Sequence, residues 1–282
     1  MHSAKKIKRI GLFDSGVGGL TVLKELLDLP LTDFIYIADS ANAPYGQKTP
    51  EQILQFSTSI TQFLVTQKID ALVIACHTSS ALALPHLQKM FPELLIIGTI
   101  IQTMLHTTQQ TKNGRIGIMA TQASINSHLH KKELLTINPE LDVFEVACPK
   151  LVPLIETSEK DMQQIEDALQ EYLLPLIAQK IDTLILGCTH YPLLAQEIKK
   201  IVGDEITLVA SEKIIAQTLG AHCIGNSEQQ KNITFYATDA PEVFAQKAQL
   251  ILGAAVAVTH LDLNTYSHSE VESQLNLSNT IL

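Results

Sequence analysis

Ten short apolar runs punctuate the chain, at residues 7–13, 34–38, 71–75, 94–98, 115–119, 142–146, 183–186, 206–209, 233–237 and 254–259. Between them lie longer amphipathic stretches, among them 19–27, 50–67, 159–179 and 241–252. A strand with one wet face alternates apolar and polar side chains. These runs are close to continuously apolar, the pattern of parallel strands covered by helices on both sides. The expected fold is therefore α/β, with mainly parallel sheets flanked by helices. The helix and two strands expected after Val209 could extend either half of the chain, and the polar residues 264–282 are expected to fray.

The pattern repeats. KIDALVIACHT at 68–78 and KIDTLILGCTH at 180–190 share Lys-Ile-Asp, an apolar run, a cysteine and a Thr/His pair. KRIGLFDSG at 8–16 and GRIGIMATQ at 114–122 are also similar, and the two pairs are offset by 106 and 112 residues. Two related α/β halves are the simplest source of such spacing. Open parallel sheets bind ligands beyond the carboxyl ends of their strands. Those ends carry Asp14 and Ser15, Cys76, His77 and Thr78, Thr121, and Cys188, Thr189 and His190. If the halves face one another about a pseudo-twofold axis, the two cysteines look across a common cleft.

Composition narrows the classes. With 46% hydrophobic and 17% charged residues the chain is globular rather than disordered. A net charge of −9 disfavours a nucleic-acid surface, and the basic cluster Lys5, Lys6, Lys8 and Arg9 reads as a solvated strand entry. No run reaches the length of a membrane helix and no secretory leader is visible. The four cysteines are widely spaced, without a CxxC pair, so free thiols in a reducing cytoplasm are expected.

Cys148 and Cys223 lack repeated context and read as small hydrophobes. Cys76 and Cys188 sit where a strand gives way to a helix start, a place that favours a thiolate. Zinc binding by these cysteines with His77 and His190 is a weaker reading, since no further close-spaced ligand pair completes a site. A disulfide between them fits poorly with a reducing compartment. DSGVGGLT at 14–21 invites comparison with a dinucleotide loop, and Asp39 lies at the expected distance. Thr21, however, stands where Gly or Ala is needed, and a backbone amide nest for a carboxylate is the preferred reading. APYGQKTPE at 43–51 is a turn leading into a helix. Two opposed thiols suit inversion at a carbon: one removes a proton from one face, the other delivers a proton to the opposite face, and the roles swap for the reverse reaction. The developing carbanion must also be stabilised.

At this point the longer motifs matter. GLFDSGVGGLTVLKEL, YIADSANAPYGQKTPEQI, ALVIACHTSSALAL, CPKLVPLIE, LILGCTHYPLL and TFYATDAPEVFAQKAQLILG resemble, in order and over roughly residues 7–262, the cofactor-independent glutamate racemases of the aspartate/glutamate racemase superfamily. The resemblance implies two similar domains, residues 1–100 with 211–282 and an inserted 101–210, with the active site between them. It implies interconversion of L- and D-glutamate for peptidoglycan, without pyridoxal phosphate, metal or other cofactor, with glutamate as the small-molecule partner. It allows a homodimer, whose form differs among such racemases. Cys76 and Cys188 match the two acid/base groups, Asp14 the acidic residue near the first thiol, and Glu156 and His190 the residues assisting the second. Substrate-contacting positions match Asp14, Ser15, Pro44, Tyr45 and Gly46. They also match Thr78, Thr121 and Thr189.

Three departures stand out. His77 replaces the usual Asn, which contacts substrate; imidazole can still donate a hydrogen bond, but its protonated form would repel the substrate amino group. Gln122-Ala123-Ser124 replaces Glu-Ala-Thr, and Ser124 keeps the hydroxyl. Ala210 stands in place of a frequent acidic residue. The alternatives are a racemase for aspartate or another small amino acid and, from a different class, a binding protein with reduced turnover, since some members of the family bind DNA gyrase.

Overall fold

Each of the ten apolar runs overlaps a strand in the computed structural model, which describes residues 7–30, 33–157, 161–223 and 231–263. Lys5, Lys6 and the polar tail 264–282 lie outside the described residues. The strands are β1 (Arg9–Asp14), β2 (Asp33–Ala38), β3 (Ala71–Ile74), β4 (Leu95–Gly98), β5 (Arg115–Ala120), β6 (Asp142–Ala147), β7 (Thr183–Gly187), β8 (Thr207–Val209), β9 (Asn232–Ala237) and β10 (Val258–His260). The last begins later than its apolar run. Gly253, at φ 77, turns the chain out of helix Pro241–Leu252, and the alanine-rich residues that follow form a connection.

Every ladder is parallel, and the strands form two sheets, β10-β9-β2-β1-β3-β4 and β6-β5-β7-β8. The order β2-β1-β3-β4 of the first recurs as β6-β5-β7-β8 in the second. The register recurs too: Ile10 pairs with Ala71, and the equivalent Ile116 pairs with Thr183. The C-terminal strands β9 and β10 return to the first sheet. Buried side chains cover both faces of each sheet, as continuous apolar strands require: Leu12 and Val73 on one face of the first, Phe13 and Leu72 on the other. Met119 and Leu184, and Ile118 and Ile185, do the same in the second. Each sheet with its helices forms a lobe.

The repeated Lys-Ile-Asp has a structural cause. Lys68 and Lys180 adopt left-handed φ of 57° and 56°, reversing the chain after a helix. Ile69 and Ile181 fill the space beside Gly11 and Gly117 on the neighbouring strands. Asp70 Oδ2 accepts from the backbone N–H of Lys8 and Arg9 at 2.9 and 3.0 Å, and Asp182 Oδ2 from those of Lys112 and Asn113 at 2.7 and 2.6 Å. Each aspartate thus satisfies amides at the entry to the lobe's central strand. Helix Pro50–Thr66 opens on a Thr49/Gln52 capping box with proline in its first turn. No helix among the described residues is long and apolar enough to cross a membrane.

Where the lobes meet, three buried polar groups stack. His77, which opens helix His77–Leu82, and His130, in helix Leu129–Ile137, lie with ring centroids 5.7 Å apart and planes 11° from parallel. His77 Nδ1 faces His130 Nε2 at 3.4 Å, and His77 Nε2 faces Ser211 Oγ at 3.1 Å. His130 Nδ1 is buried without a partner. An orphaned acceptor is tolerated better than an orphaned N–H, so His130 donates from Nε2 to His77 Nδ1, and His77 donates from Nε2 to Ser211.

Burial holds both rings neutral. It lowers His130 to about 4, and burial, followed by the neighbouring His130, holds His77 well below 6.5. An unfolded chain takes up these protons near pH 6.5, whereas the folded chain resists them. The stability they contribute is therefore present above that pH and lost as pH falls. His77→Asn removes one such group. Its loss of stability between about pH 7 and about pH 5.5 should be smaller than that of wild type by roughly 1 kcal/mol, read from urea midpoints at each pH. Parallel pH dependences would show that His77 is not held neutral.

Candidate active site

In each sheet the strand order reverses at one place, between β1 and β3 in the first and between β5 and β7 in the second. Parallel sheets open a crevice at the carboxyl ends of such strands. Cys76 follows β3 and Cys188 follows β7, so the repeat puts a thiol at the reversal point of each lobe. Both line one cavity of about 30 Å³. Its wall also carries Ser15, Pro44, Tyr45 and Gly46 from the first lobe, with His77 and Thr78. Thr121, Thr189 and His190 come from the second. Three further residues singled out in the sequence, Asp14, Ser124 and Glu156, stand behind this wall.

The glycine-rich loop after β1 makes the approach of the two lobes sterically feasible. A Cβ on Gly18 would sit 2.4 Å from Thr189 Oγ1 and 2.5 Å from His190 Nδ1, and one on Gly16 would sit 2.6 Å from Glu156 Oε1. Two of the loop's amides, those of Gly16 and Gly19, donate to Asp14 Oδ2 at 3.3 and 3.0 Å. The carboxylate expected in this amide nest is thus the chain's own. Asp14 Oδ1 accepts from Thr189 Oγ1 at 3.3 Å, a second tie across the cleft. Burial raises the Asp14 pKa, against the pull of His190 and the two amides.

Around the first thiol the environment is dry. Cys76 occupies the cap position of helix His77–Leu82, and burial, then the charge of Asp14, pushes it up to about 12. It carries its proton at neutral pH. The second thiol faces an imidazole: Cys188 Sγ lies 3.7 Å from His190 Nδ1, and His190 Nε2 lies 2.8 Å from Glu156 Oε1. Burial alone would lower the His190 pKa. Its hydrogen bonds with Cys188 and Glu156, and the charges of Cys188 and Asp14, outweigh that and raise it to about 10. Burial likewise opposes ionisation of Glu156, and its contacts with His190 and Lys247 overcome this, holding it at about 2. The two sulfurs thus occupy unlike settings, one beside a carboxylate and one beside a cation.

Hydroxyls close the remaining side. Thr78 Oγ1 lies 3.0 Å from Thr121 Oγ1 and 3.3 Å from Ser124 Oγ, and Thr121 donates to Ser124 at 3.0 Å. Ser124 therefore orients Thr78 and Thr121 rather than forming the wall itself. Asp39, noted in the sequence only for its distance from the glycine loop, fixes the Pro44–Gly46 turn: it accepts from Tyr45 at 2.5 Å, from Thr238 at 2.7 Å and from Asn42. His77 borders the cavity, but both ring nitrogens are engaged by His130 and Ser211.

Some of the surroundings escaped the sequence reading. Cys148, read there as a small hydrophobe, is buried and its pKa is raised by that burial, yet it also borders the cavity. Lys247 donates to Glu156 Oε2 at 2.8 Å from a helix 91 residues further along the chain, with no motif linking the two. Cys223 is half-buried, its thiol on Leu219 O. A larger groove of about 920 Å³ reaches Glu156 from behind, but neither Cys76 nor Cys188 borders it; both thiols face the smaller cavity. Among the described residues no three His, Cys, Asp or Glu side chains are grouped to hold a metal ion.

Comparison with known proteins points the same way. Residues 23–219 match the family Asp/Glu/Hydantoin racemase. A glutamate racemase of Geobacter metallireducens is 40% identical over 87% of this chain and 93% of its own length, and one of Streptococcus gordonii is 38% identical over 90% and 98%. The crystal structure of a glutamate racemase isoform from Bacillus anthracis superposes with a TM-score of 0.86 at 33% identity, covering 93% of this chain and 99% of that one. One from Francisella tularensis, solved with D-glutamate, gives 0.82 at 30% identity, covering 92% and 99%. The chain belongs to the Asp/Glu/Hydantoin racemase family.

Proposed function

We propose that the chain is a glutamate racemase, an isomerase that interconverts L- and D-glutamate by proton transfer at Cα between Cys76 and Cys188 and supplies D-glutamate for peptidoglycan. One observation carries this reading: the two thiols that end equivalent strands of a repeated sheet border one cavity. The names of the relatives, and the D-glutamate held by the Francisella protein, favour glutamate among small amino acids. Four free cysteines agree with a reducing cytoplasm. Sheet membership supports a first domain of residues 1–100 with 211–282 and an inserted second of 101–210.

In one direction Cys188 takes the Cα proton as the Cys76 thiol delivers its own to the opposite face. The product leaves with Cys188 protonated and Cys76 as thiolate, and the reverse reaction starts from that state. His190, protonated at neutral pH, balances the negative charge on the Cys188 side, and Glu156 holds its ring. Asp14 orders Thr189 and the glycine loop. The hydroxyls of Ser15, Thr78, Thr121 and Thr189, with the turn at Pro44, Tyr45 and Gly46 and the edge of His77, offer hydrogen bonds and shape to the substrate's polar groups. The cavity of about 30 Å³ holds about two waters, so an amino acid enters when the lobes part and is enclosed when they close, which shields the weakly acidic carbon from solvent.

Circular dichroism of L- and D-glutamate, with aspartate in parallel, tests the reading. Cys76→Ser and Cys188→Ser should each lose about 10²- to 10⁴-fold in both directions. Saturable glutamate binding by a wild-type protein that never inverts it, or a serine variant at full turnover, would contradict the proposal. Gly18→Ala should cost roughly tenfold to a hundredfold in kcat/KM, because the new Cβ displaces Thr189 and His190. Wild-type kinetics in that variant would show that the close approach is not needed.

A further inference from the structure

We infer that Lys247 is a positioning residue of the inversion site, completing the alignment of Glu156 on His190 when the two lobes close; the inference rests on the racemase reading above. Lys247 lies in helix Pro241–Leu252, whose Phe244 and Ala248 are buried in the core of the first lobe. Glu156 ends helix Leu151–Glu156, whose Leu151 and Ile155 belong to the core of the second. The contact between them therefore spans the cleft.

Four groups form one line. Lys247 Nζ donates to Glu156 Oε2 at 2.8 Å, Glu156 Oε1 meets His190 Nε2 at 2.8 Å, and His190 Nδ1 faces Cys188 Sγ at 3.7 Å. A carboxylate engaged through both oxygens is fixed in plane and in direction. With one oxygen released it can rotate about its own axis and swing from its helix end. Gly16 closes on the same carboxylate from the first lobe, leaving room for Oε1 but none for a Cβ. The first lobe thus contributes both the wall and the anchor that hold Glu156, although Glu156, His190 and Cys188 all belong to the second.

This arrangement ties chemistry to closure. The cavity as seen has no room for the substrate, so the lobes separate to admit it, and separation draws Lys247 from Glu156. On closing, the anchor returns and the imidazole is set against the thiol that exchanges the proton. A purely structural ion pair explains less. The side chains of Lys247 and Glu156 are about three-quarters buried, at 27% and 24% exposure, and a contact made for stability alone would not need the carboxylate's other oxygen to be aimed at His190. Lys247 does not border the cavity and does not touch the reacting atoms.

The experiment compares wild type, Lys247→Met, Lys247→Arg, Glu156→Gln and the Lys247→Met/Glu156→Gln double variant. Lys247→Met should lower kcat about tenfold with KM within about twofold, with Arg recovering most of the loss. In the Glu156→Gln background it should add no more than about a twofold effect, because the two residues act as one unit. Melting temperature should be nearly unchanged. A readout independent of turnover is the downfield His190 Nε2 proton in the NMR spectrum near neutral pH: present in wild type and Lys247→Arg, and broadened or lost in Lys247→Met and Glu156→Gln. Wild-type kcat and an unchanged resonance in Lys247→Met, or the same fold loss in both backgrounds, would overturn the inference. A wild-type protein that does not racemise glutamate would overturn the racemase reading instead, and the resonance would still decide whether Lys247 positions Glu156.

Discussion

The glycine loop of the first lobe rests directly on Thr189, His190 and Glu156 of the second, with less room than a single methyl group needs. The catalytic geometry proposed for this chain depends on that contact. It brings Asp14 within reach of Thr189 and packs the loop against the His190 ring that lies between Glu156 and Cys188. Each lobe has its own buried core, and the two also share apolar packing where Ile214 and Ala81 meet the second lobe's core; the wall of the cleft adds hydrogen bonds, an ion pair and the fit of the loop. Such contacts can be broken and remade without unfolding either sheet, as a site that must admit and then enclose its substrate requires.

Repetition supplies the two thiols, and divergence gives them different work. Strand order, register, the left-handed lysine and the aspartate at the strand entry are shared by both halves. Beyond the strand ends the halves part company. Cys76 is followed at once by a helix and a dry setting beside Asp14, so it holds a proton. Cys188 is followed by Thr189 and a histidine whose charge is supported by Glu156. A symmetric pair would place both sulfurs in the same dry setting; here one sulfur lies beside a carboxylate and the other beside a histidine that carries a charge.

Much of this was legible in the sequence, for physical reasons that can be named. The ten strands showed because buried parallel strands are continuously apolar, and the repeat showed because strand ends in equivalent places need equivalent turns. Cys76, Cys188 and His190 could be found because each stands within three residues of such an end. Lys247, Asp39 and the His130–Ser211 setting of His77 could not. Each has a partner far along the chain: Lys247 and His77 meet Glu156 and His130 across the lobes, while Asp39 meets Thr238 through the pairing of β2 with β9. The glycine loop was read as an amide nest, but its need for glycine comes from the lobe opposite, which no local pattern records. His77 raised the concern of a cation beside the substrate amino group; burial against His130 keeps its ring neutral.

The central claim is that separate groups on opposite walls remove and deliver the proton. Brief reaction of each glutamate enantiomer in heavy water, with analysis of Cα in product and in recovered substrate, tests it most directly. The account predicts product carrying solvent deuterium at Cα from the first turnovers, whichever enantiomer is supplied, while recovered substrate keeps its original hydrogen. Product that retains the substrate's own proton, or substrate that exchanges before it inverts, would mean that a single group serves both faces and would contradict the account.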